Sequence, residues 1–411
     1  MDVTLAPGRR RGTVEAIASK SFAHRVMLAA ALADAPTEVG LNLFSADIEA
    51  TLGVLPALGA RAEIKTDGAR IIPGGAETAP GREFSCGESG STLRFLLPLL
   101  PATGRAARLT GGGRLPERPL SPLKELLAAH GAVFSADRLP FTVGGRLAPG
   151  RFALPGDVSS QYLTGLLLAL PLLDGDSVIE LTSPLQSAGY VDITREVLRR
   201  FAVETVKTAG GFTVPGRQRY RSPGRLAVEG DWSNAAFWLA ARALGSDIEV
   251  TGLNPASVQP DRAIVDVLEK MRRPGPLELD VSQFPDLVPV LSVAAAVRPG
   301  ATRFVNGARL RLKESDRISA TVALLNALGS RATGTADGLS FPGGETLTGG
   351  TVDAANDHRL AMAAAVAATV ARAPVTIRGA EAVNKSYPGF FTVFNALPPK
   401  PADIDAAPGP R

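Results

Sequence analysis

The chain of 411 residues reads as a two-domain α/β protein assembled from six similar α+β units. Three observations predict this. The length suggests two or three domains, and 45% hydrophobic against 20% charged residues is enough apolar content to bury large cores. An apolar helix end, a small residue and a strand-like run recur as LPALGARAEI from Leu55, LLAAHGAVFS from Leu126 and VLRRFAVETV from Val197. The pattern continues, less perfectly, from Val267 and Leu324. The spacings are 71, 71, 70 and 57 residues, and a further 70 reaches Phe394-Asn395-Ala396. Segments of 3.6-residue period alternate with short β-branched runs throughout, so each unit combines strands with amphipathic helices.

Taken in order, the apolar helices share one feature: a polar or glycine-rich cluster stands directly before each. Ser19-Lys20-Ser21 precedes AHRVMLAAALA, Gly87–Thr92 precedes LRFLLPLL, and Ser159-Ser160-Gln161 precedes YLTGLLLAL. The turn-rich Arg221–Arg225 lies near the midpoint and suits a linker. In the second half, Phe284-Pro285-Asp286-Leu287 leads into a long apolar run, and Lys313–Arg317 leads into ISATVALLNAL. Asn356–Arg359 precedes LAMAAAVAATVA, and Asn384-Lys385-Ser386 precedes the final helix. The unit around Met271–Phe284 is shorter than its siblings, as the 57-residue spacing records, so a strand or hairpin is trimmed there. Pro398–Arg411 carries five prolines and reads as a disordered tail.

Serine, threonine, asparagine and aspartate before a helix are ordinary N-caps, and each cluster alone needs no other explanation. Together they suggest more. Helix N-termini favour bound anions, and these clusters add Lys20 with Arg25, Arg94, Lys313 with Arg317, Arg359 and Lys385. Convergence of several such ends would make a cleft for phosphates and carboxylates. Two acids stand among the cations. Asp286 reads either as an N-cap or as a proton acceptor kept ionised by arginines, and Glu314 either as a partner in intrahelical ion pairs or as an acid–base group.

Other classes are excluded by composition. A single cysteine, Cys86, allows no intrachain disulfide, and three histidines make a histidine-built metal site implausible, so no metal and no cofactor are expected. The basic residues, 8 Lys and 36 Arg, are scattered, and only 5% of residues are aromatic, which argues against nucleic-acid binding. Met1–Arg11 lacks the apolar core of a secretory signal and no stretch is long enough to span a bilayer, so a cytoplasmic protein is expected.

The clusters, in this order and spacing from Lys20 to Lys385, resemble the enolpyruvyl transferases, on the side of the family that uses 3-phosphoshikimate. The resemblance implies a two-domain inside-out α/β barrel of six βαβαββ units, three per domain. One domain would be residues 1–19 plus 229–411 and the other 20–228. It implies transfer of the enolpyruvyl group of phosphoenolpyruvate to the 5-hydroxyl of 3-phosphoshikimate by a monomer without cofactors. Lys20, Ser21, Arg25, Ser159, Ser160, Gln161, Ser187, Tyr190, Asp286 and Lys313 match the shikimate site. Lys20, Gly90, Arg118, Gln161, Arg317, Arg359 and Lys385 match the phosphoenolpyruvate site. Asp286 and Glu314 match the acid–base pair, with Lys20 and Lys385 as catalytic cations. Glu88 and Arg309 depart from the pattern, and their opposite charges suggest a pair across the cleft. The sister reaction on UDP-N-acetylglucosamine usually goes with a mobile-loop cysteine, where this chain has Arg118. A catalytically dead binding module of the same fold is the remaining alternative.

Overall fold

A computed structural model describes residues 1–74 and 82–401. Two separate hydrophobic cores form. One gathers residues from Ala18 to Leu226; the other joins Leu5, Val14 and Ile17 to residues from Trp232 to Leu397.

The repeat seen in the sequence has a structural counterpart in six sheets among the described residues. Three of them follow one chain order. In the first, strand Glu83–Ser85, helix Gly90–Ala102, strand Ala107–Thr110 and helix Leu123–Ala129 lead into the hairpin Ala132–Phe134 and Phe141–Gly145. The first two strands pair in parallel, and the hairpin adds on antiparallel through its second strand. The same order runs from Arg151–Leu154 to Gly211–Val214 and from Leu277–Asp280 to Leu339–Phe341. A fourth sheet has the same pairing but receives its parallel strand, Arg225–Ala227, last. The turn at Arg221–Arg225 therefore still belongs to the first core, and the chain crosses just after it.

The two remaining sheets use the N-terminus. Asp2–Leu5 pairs antiparallel with Val375–Arg378, and Arg11–Glu15 pairs in parallel with Asp247–Thr251. The latter sheet has only two strands. Between helix Ile264–Met271 and strand Leu277–Asp280 there is room for a short turn and no hairpin, which accounts for the short spacing. The expected barrel does not close, because the six sheets stay separate. The proline-rich end is also less free than its composition suggests. The Arg11 amide donates to the Pro398 carbonyl, and the Lys400 amide to that of Arg9. The rest of the expected tail, 402–411, lies outside the described residues.

Helices occupy the interior of each core. Lys20–Ala31, Gly90–Ala102 and Ser160–Ala169 are buried on nearly every face, as are Trp232–Ala243, Val288–Val297 and His358–Ala368. A helix apolar all round belongs at the centre of a core. Five of these six begin on a capping side chain that accepts a backbone N–H: Ser19, Ser89, Ser159, Asp231 and Asp357. No helix among the described residues is long and apolar enough to cross a membrane.

Candidate active site

The N-termini of four of these helices, at Lys20, Gly90, Ser160 and His358, meet where the two cores face each other and line one cleft. Its wall includes Lys20, Ser21, Arg25, Gly90, Arg118, Ser159, Ser160, Gln161, Ser187, Tyr190, Asp286, Lys313, Glu314 and Arg359. Arg317 stands directly behind it, bonded to Asp286 and Glu314, whereas Lys385 lies outside the lining and is held by Glu88 and the Asn356 carbonyl. Capping and anion attraction coexist here: the caps take one N–H each, and the remaining free N–H groups and the dipole ends face the cleft.

On the first face, Arg25 is nearly inaccessible. Its guanidinium donates to Thr194 at 2.8 Å, to Thr164 at 3.2 Å, and to the carbonyls of Ser21 at 2.5 Å and Tyr190 at 3.1 Å. Burial pulls its pKa down to about 9, so the charge is stabilised mainly by neutral acceptors. Lys20 pairs with Asp47 at 2.8 Å. Gln161 receives Arg94 at 3.0 Å and donates to Ser91 at 3.0 Å, which fixes its amide. A side chain at Gly90 would displace two guanidinium groups: a Cβ would lie 2.5 Å from Nη1 of Arg94 and 2.7 Å from Nη1 of Arg118. The glycine thus lets two guanidinium groups approach the helix end.

Ser187 adopts a left-handed backbone (φ 55°) at the start of helix Ala188–Arg200. Such a conformation is costly for serine and persists only when its surroundings hold it. Here the Ser187 amide donates to the Ser282 carbonyl at 3.1 Å, and Arg309 donates to Ser187 Oγ at 2.8 Å and to the same carbonyl at 2.9 Å. The expected pair between Glu88 and Arg309 therefore does not form. Glu88 instead bonds Lys385 at 2.7 Å and Asn356 at 3.0 Å.

Asp286 does not cap a helix. It lies in the 3-10 turn Pro285–Leu287, and its carboxylate faces the cations. Arg317 reaches it at 2.7 Å, Arg359 at 2.8 Å and Lys313 at 3.4 Å. Burial would raise the Asp286 carboxyl, but Arg359, Lys313 and Arg317 overcome it and hold it well below the usual range. Glu314 behaves alike. Burial opposes its charge, yet Arg317 at 2.7 Å and Arg118 at 3.7 Å keep it ionised. Arg317, only 1% exposed, also donates to Asp357 at 2.8 Å, so one guanidinium orients three carboxylates. Cys86 is buried, its thiol pushed up to about 12 by burial, and takes no part.

Several site residues escape sequence reading. Arg94, read in the sequence only as a cation after the glycine-rich cluster, orients Gln161 from four residues beyond Gly90. Asp47 at the cleft and Asp261 behind it carry no sequence signal, because tertiary contacts alone bring them there, while His358 stands inside the Asn356–Arg359 cluster without being singled out by it. One cluster was expected in the wrong place: Asn384-Lys385-Ser386 sits in a 3-10 turn and its border, and the final helix begins only at Phe390.

Comparison with known proteins agrees with this geometry. The model of one family, described as EPSP synthase (3-phosphoshikimate 1-carboxyvinyltransferase), matches residues 5–394. A protein of Clostridium kluyveri named 3-phosphoshikimate 1-carboxyvinyltransferase is 40% identical over 96% of this chain and 97% of its own. One of Clostridium perfringens with the same name is 38% identical over 96% and 98%. Among solved structures, an EPSP synthase from Acinetobacter baumannii superposes with a TM-score of 0.80 at 25% identity, covering 96% of this chain and 98% of the other. The fold is shared with the enolpyruvyl transferase NikO from Streptomyces tendae, at a TM-score of 0.78 and 20% identity over 96% and 97%. With a match over nearly its whole length, the chain belongs to the EPSP synthase family.

Proposed function

We propose that this chain transfers the enolpyruvyl group of phosphoenolpyruvate to the 5-hydroxyl of 3-phosphoshikimate, by addition and elimination with release of phosphate. One observation carries the reading: two ionised carboxylates, Asp286 and Glu314, share the guanidinium of Arg317 inside a cleft otherwise rich in lysine and arginine. That is the equipment for acid–base chemistry on a doubly anionic pair of substrates. The names of the relatives support the same reaction.

In this reading Ser159, Ser160 and Ser187 hold the shikimate phosphate, with the charge of Arg309 beside Ser187. Ser21, Arg25, Tyr190 and Lys313 hold the ring substituents, and Lys20 and Gln161 lie between the substrates. Arg118, Arg317, Arg359 and Lys385 clamp phosphoenolpyruvate at the Gly90 helix end. Asp286, ionised among its cations, takes the proton of the 5-hydroxyl as the oxygen bonds to C2. Glu314 must deliver a proton to C3, yet Arg317 and Arg118 keep it charged while no substrate is bound. The carboxylate and phosphate of phosphoenolpyruvate compete for those guanidinium groups. Once they are drawn away, burial raises the Glu314 pKa and the residue takes up the proton it needs. Glu314, now a carboxylate again, takes a proton back from C3 as the C2=C3 double bond re-forms and the C2–O bond to phosphate breaks, which completes the exchange.

The two cores support a division into 1–19 plus 229–411 and 20–228, with the cleft between.

The test is phosphate release from phosphoenolpyruvate in the presence of 3-phosphoshikimate, and separately of UDP-N-acetylglucosamine. Release should require 3-phosphoshikimate and fall by about 10²–10⁴ in kcat in Asp286→Asn and in Glu314→Gln. Release only with the nucleotide sugar would move the chain to the sister reaction. Binding of both ligands without release would leave a binding module.

A further inference from the structure

Behind Asp286 lies a second buried carboxylate that the proposed chemistry does not use. Asp261 sits in the 3-10 turn Pro260–Ala263 and is 2% exposed. The hydroxyl of Tyr190 lies 2.9 Å from Asp261 Oδ2 and 3.0 Å from Asp286 Oδ2. Tyr190 belongs to the first core and the two aspartates to the second, so this contact bridges the faces. It depends on a close approach: a Cβ on Gly189 would lie 2.7 Å from Pro260 Cβ.

Counting protons makes the trio informative. A phenol carries one hydrogen and can donate to only one carboxylate. With both aspartates ionised, one of the two short oxygen–oxygen contacts holds no proton and is repulsive. A second proton, on one of the carboxyls, removes the conflict. Arg317 and Arg359 hold Asp286 ionised. Among the described residues Asp261 makes no ion pair and its buried Oδ1 has no partner at hydrogen-bond distance, with the Ser233 hydroxyl the nearby donor, which costs an ionised carboxyl more than a neutral one.

We propose that Asp261 is a positioning residue for Asp286, whose protonation decides which way the Tyr190 hydroxyl points. When Asp261 is protonated it donates to Tyr190, Tyr190 donates to Asp286, and that bond weakens Asp286 as a base. When Asp261 is ionised, Tyr190 turns its hydrogen to Asp261 and offers Asp286 a lone pair. A proton arriving on Asp286 from the 5-hydroxyl, as the oxygen's electron pair goes to C2, then finds an acceptor. The inference rests on the transferase reading given above.

The surroundings suit a switch near neutrality. Burial and the Asp286 carboxylate push Asp261 up to about 6, against the pull of Arg359 from helix His358–Ala368 and of the Ser233 and Tyr190 hydroxyls. Ser233 faces it from helix Trp232–Ala243 and Tyr190 from helix Ala188–Arg200, while the adjoining helix turns Ile264, Val267 and Leu268 inward. Lys313, Arg317 and Arg359 face Asp286.

The test is the pH profile of kcat, read by phosphate release with both substrates saturating, in wild type, Asp261→Asn and Tyr190→Phe. The substrates' own phosphates titrate in the same range, but equally for all three proteins, so the difference between profiles is the readout. One unit below the Asp261 pKa about a tenth of it remains ionised, so wild type should lose about tenfold more kcat there than either variant. A protonated-carboxyl infrared band that disappears near the same pH in wild type, and is missing in Asp261→Asn, should accompany this. A wild-type acid limb in Asp261→Asn would overturn the role of Asp261. The same limb in Tyr190→Phe would overturn the hydroxyl as the link, and this profile together with the wild-type band decides if Asp261→Asn does not fold. A titrating band without phosphate release would refute the transferase reading and leave the Asp261–Tyr190 coupling standing.

Discussion

Lys385 illustrates how a single side chain can tune the site. Its ammonium is held by Glu88 at 2.7 Å and by the Asn356 carbonyl at 2.6 Å, with Glu88 reaching across from the other face. A carboxylate on a cation that is to clamp phosphoenolpyruvate competes with the ligand. Glu88 is itself pressed against the chain, since a Cβ on Gly113 would lie 2.2 Å from its Oε2. Glu88→Gln keeps the shape and removes the charge. It should lower KM for phosphoenolpyruvate several-fold and leave kcat within about a factor of three, because the ion pair is partly exposed and worth about 1 kcal/mol or less. An unchanged or higher KM in steady-state assays would mean that Glu88 orders Lys385 rather than competing for it. Lys20, Ser159, Asp286 and Glu314 are legible in the sequence because each stands in a polar cluster ahead of an apolar run. Asp47 and Asp261 are not, since nothing in their neighbours distinguishes them from surface acids, and only the meeting of distant elements gives them partners.

At the scale of elements, the helix starts are legible because capping is local chemistry. Ser19, Ser89, Ser159 and Asp357 all accept a backbone N–H where the polar clusters predict helix onsets. The last helix escapes this logic. Its onset is set by packing, with Trp238 stacking on Phe390 at 4.8 Å and Phe394 at 6.2 Å, contacts that join distant parts of the chain. Asp357 shows what a cap can do beyond its own helix. It accepts from the Arg359 amide at 3.0 Å, from Ser315 at 3.0 Å and from Arg317 at 2.8 Å. Asp357→Ala removes the cap and leaves Arg317 short of a fully buried partner, so unfolding free energy should drop by about 3–5 kcal/mol. Asp357→Asn keeps the capping oxygen and should recover only about 1 kcal/mol of that. Denaturant titration of both variants checks this; an Asn variant as stable as wild type would mean that Arg317 does not need the charge.

For the whole molecule, the repeat spacing makes the number of units legible, and the one short interval marks the sheet without a hairpin. The way the ends are shared is less so. Asp2–Leu5 and Arg11–Glu15 complete sheets whose other strands lie more than two hundred residues away, and no local pattern encodes that pairing. What joins the two cores at the cleft is polar: Lys20 to Asp231, Ser187 to Ser282, Tyr190 to Asp261 and Asp286, Arg118 to Glu314. Lys20, Arg25, Arg94 and Arg118 on one face oppose Arg309, Lys313 and Arg359 on the other, with few carboxylates between. That excess of positive charge works against the polar contacts that join the faces until anions enter. Either substrate alone should raise the melting temperature by linkage, equivalent to about 2.7 kcal/mol at a hundred times its Kd. Because each ligand offsets repulsion that the other would otherwise meet, their effects should couple by about 1–3 kcal/mol. Scanning fluorimetry of the Asp286→Asn variant, in which turnover should be about 10²–10⁴ slower, should then show a shift with both ligands larger than the sum of the separate shifts. A merely additive shift would mean that the two faces bind their ligands independently, and that closure is not driven by the charge between them.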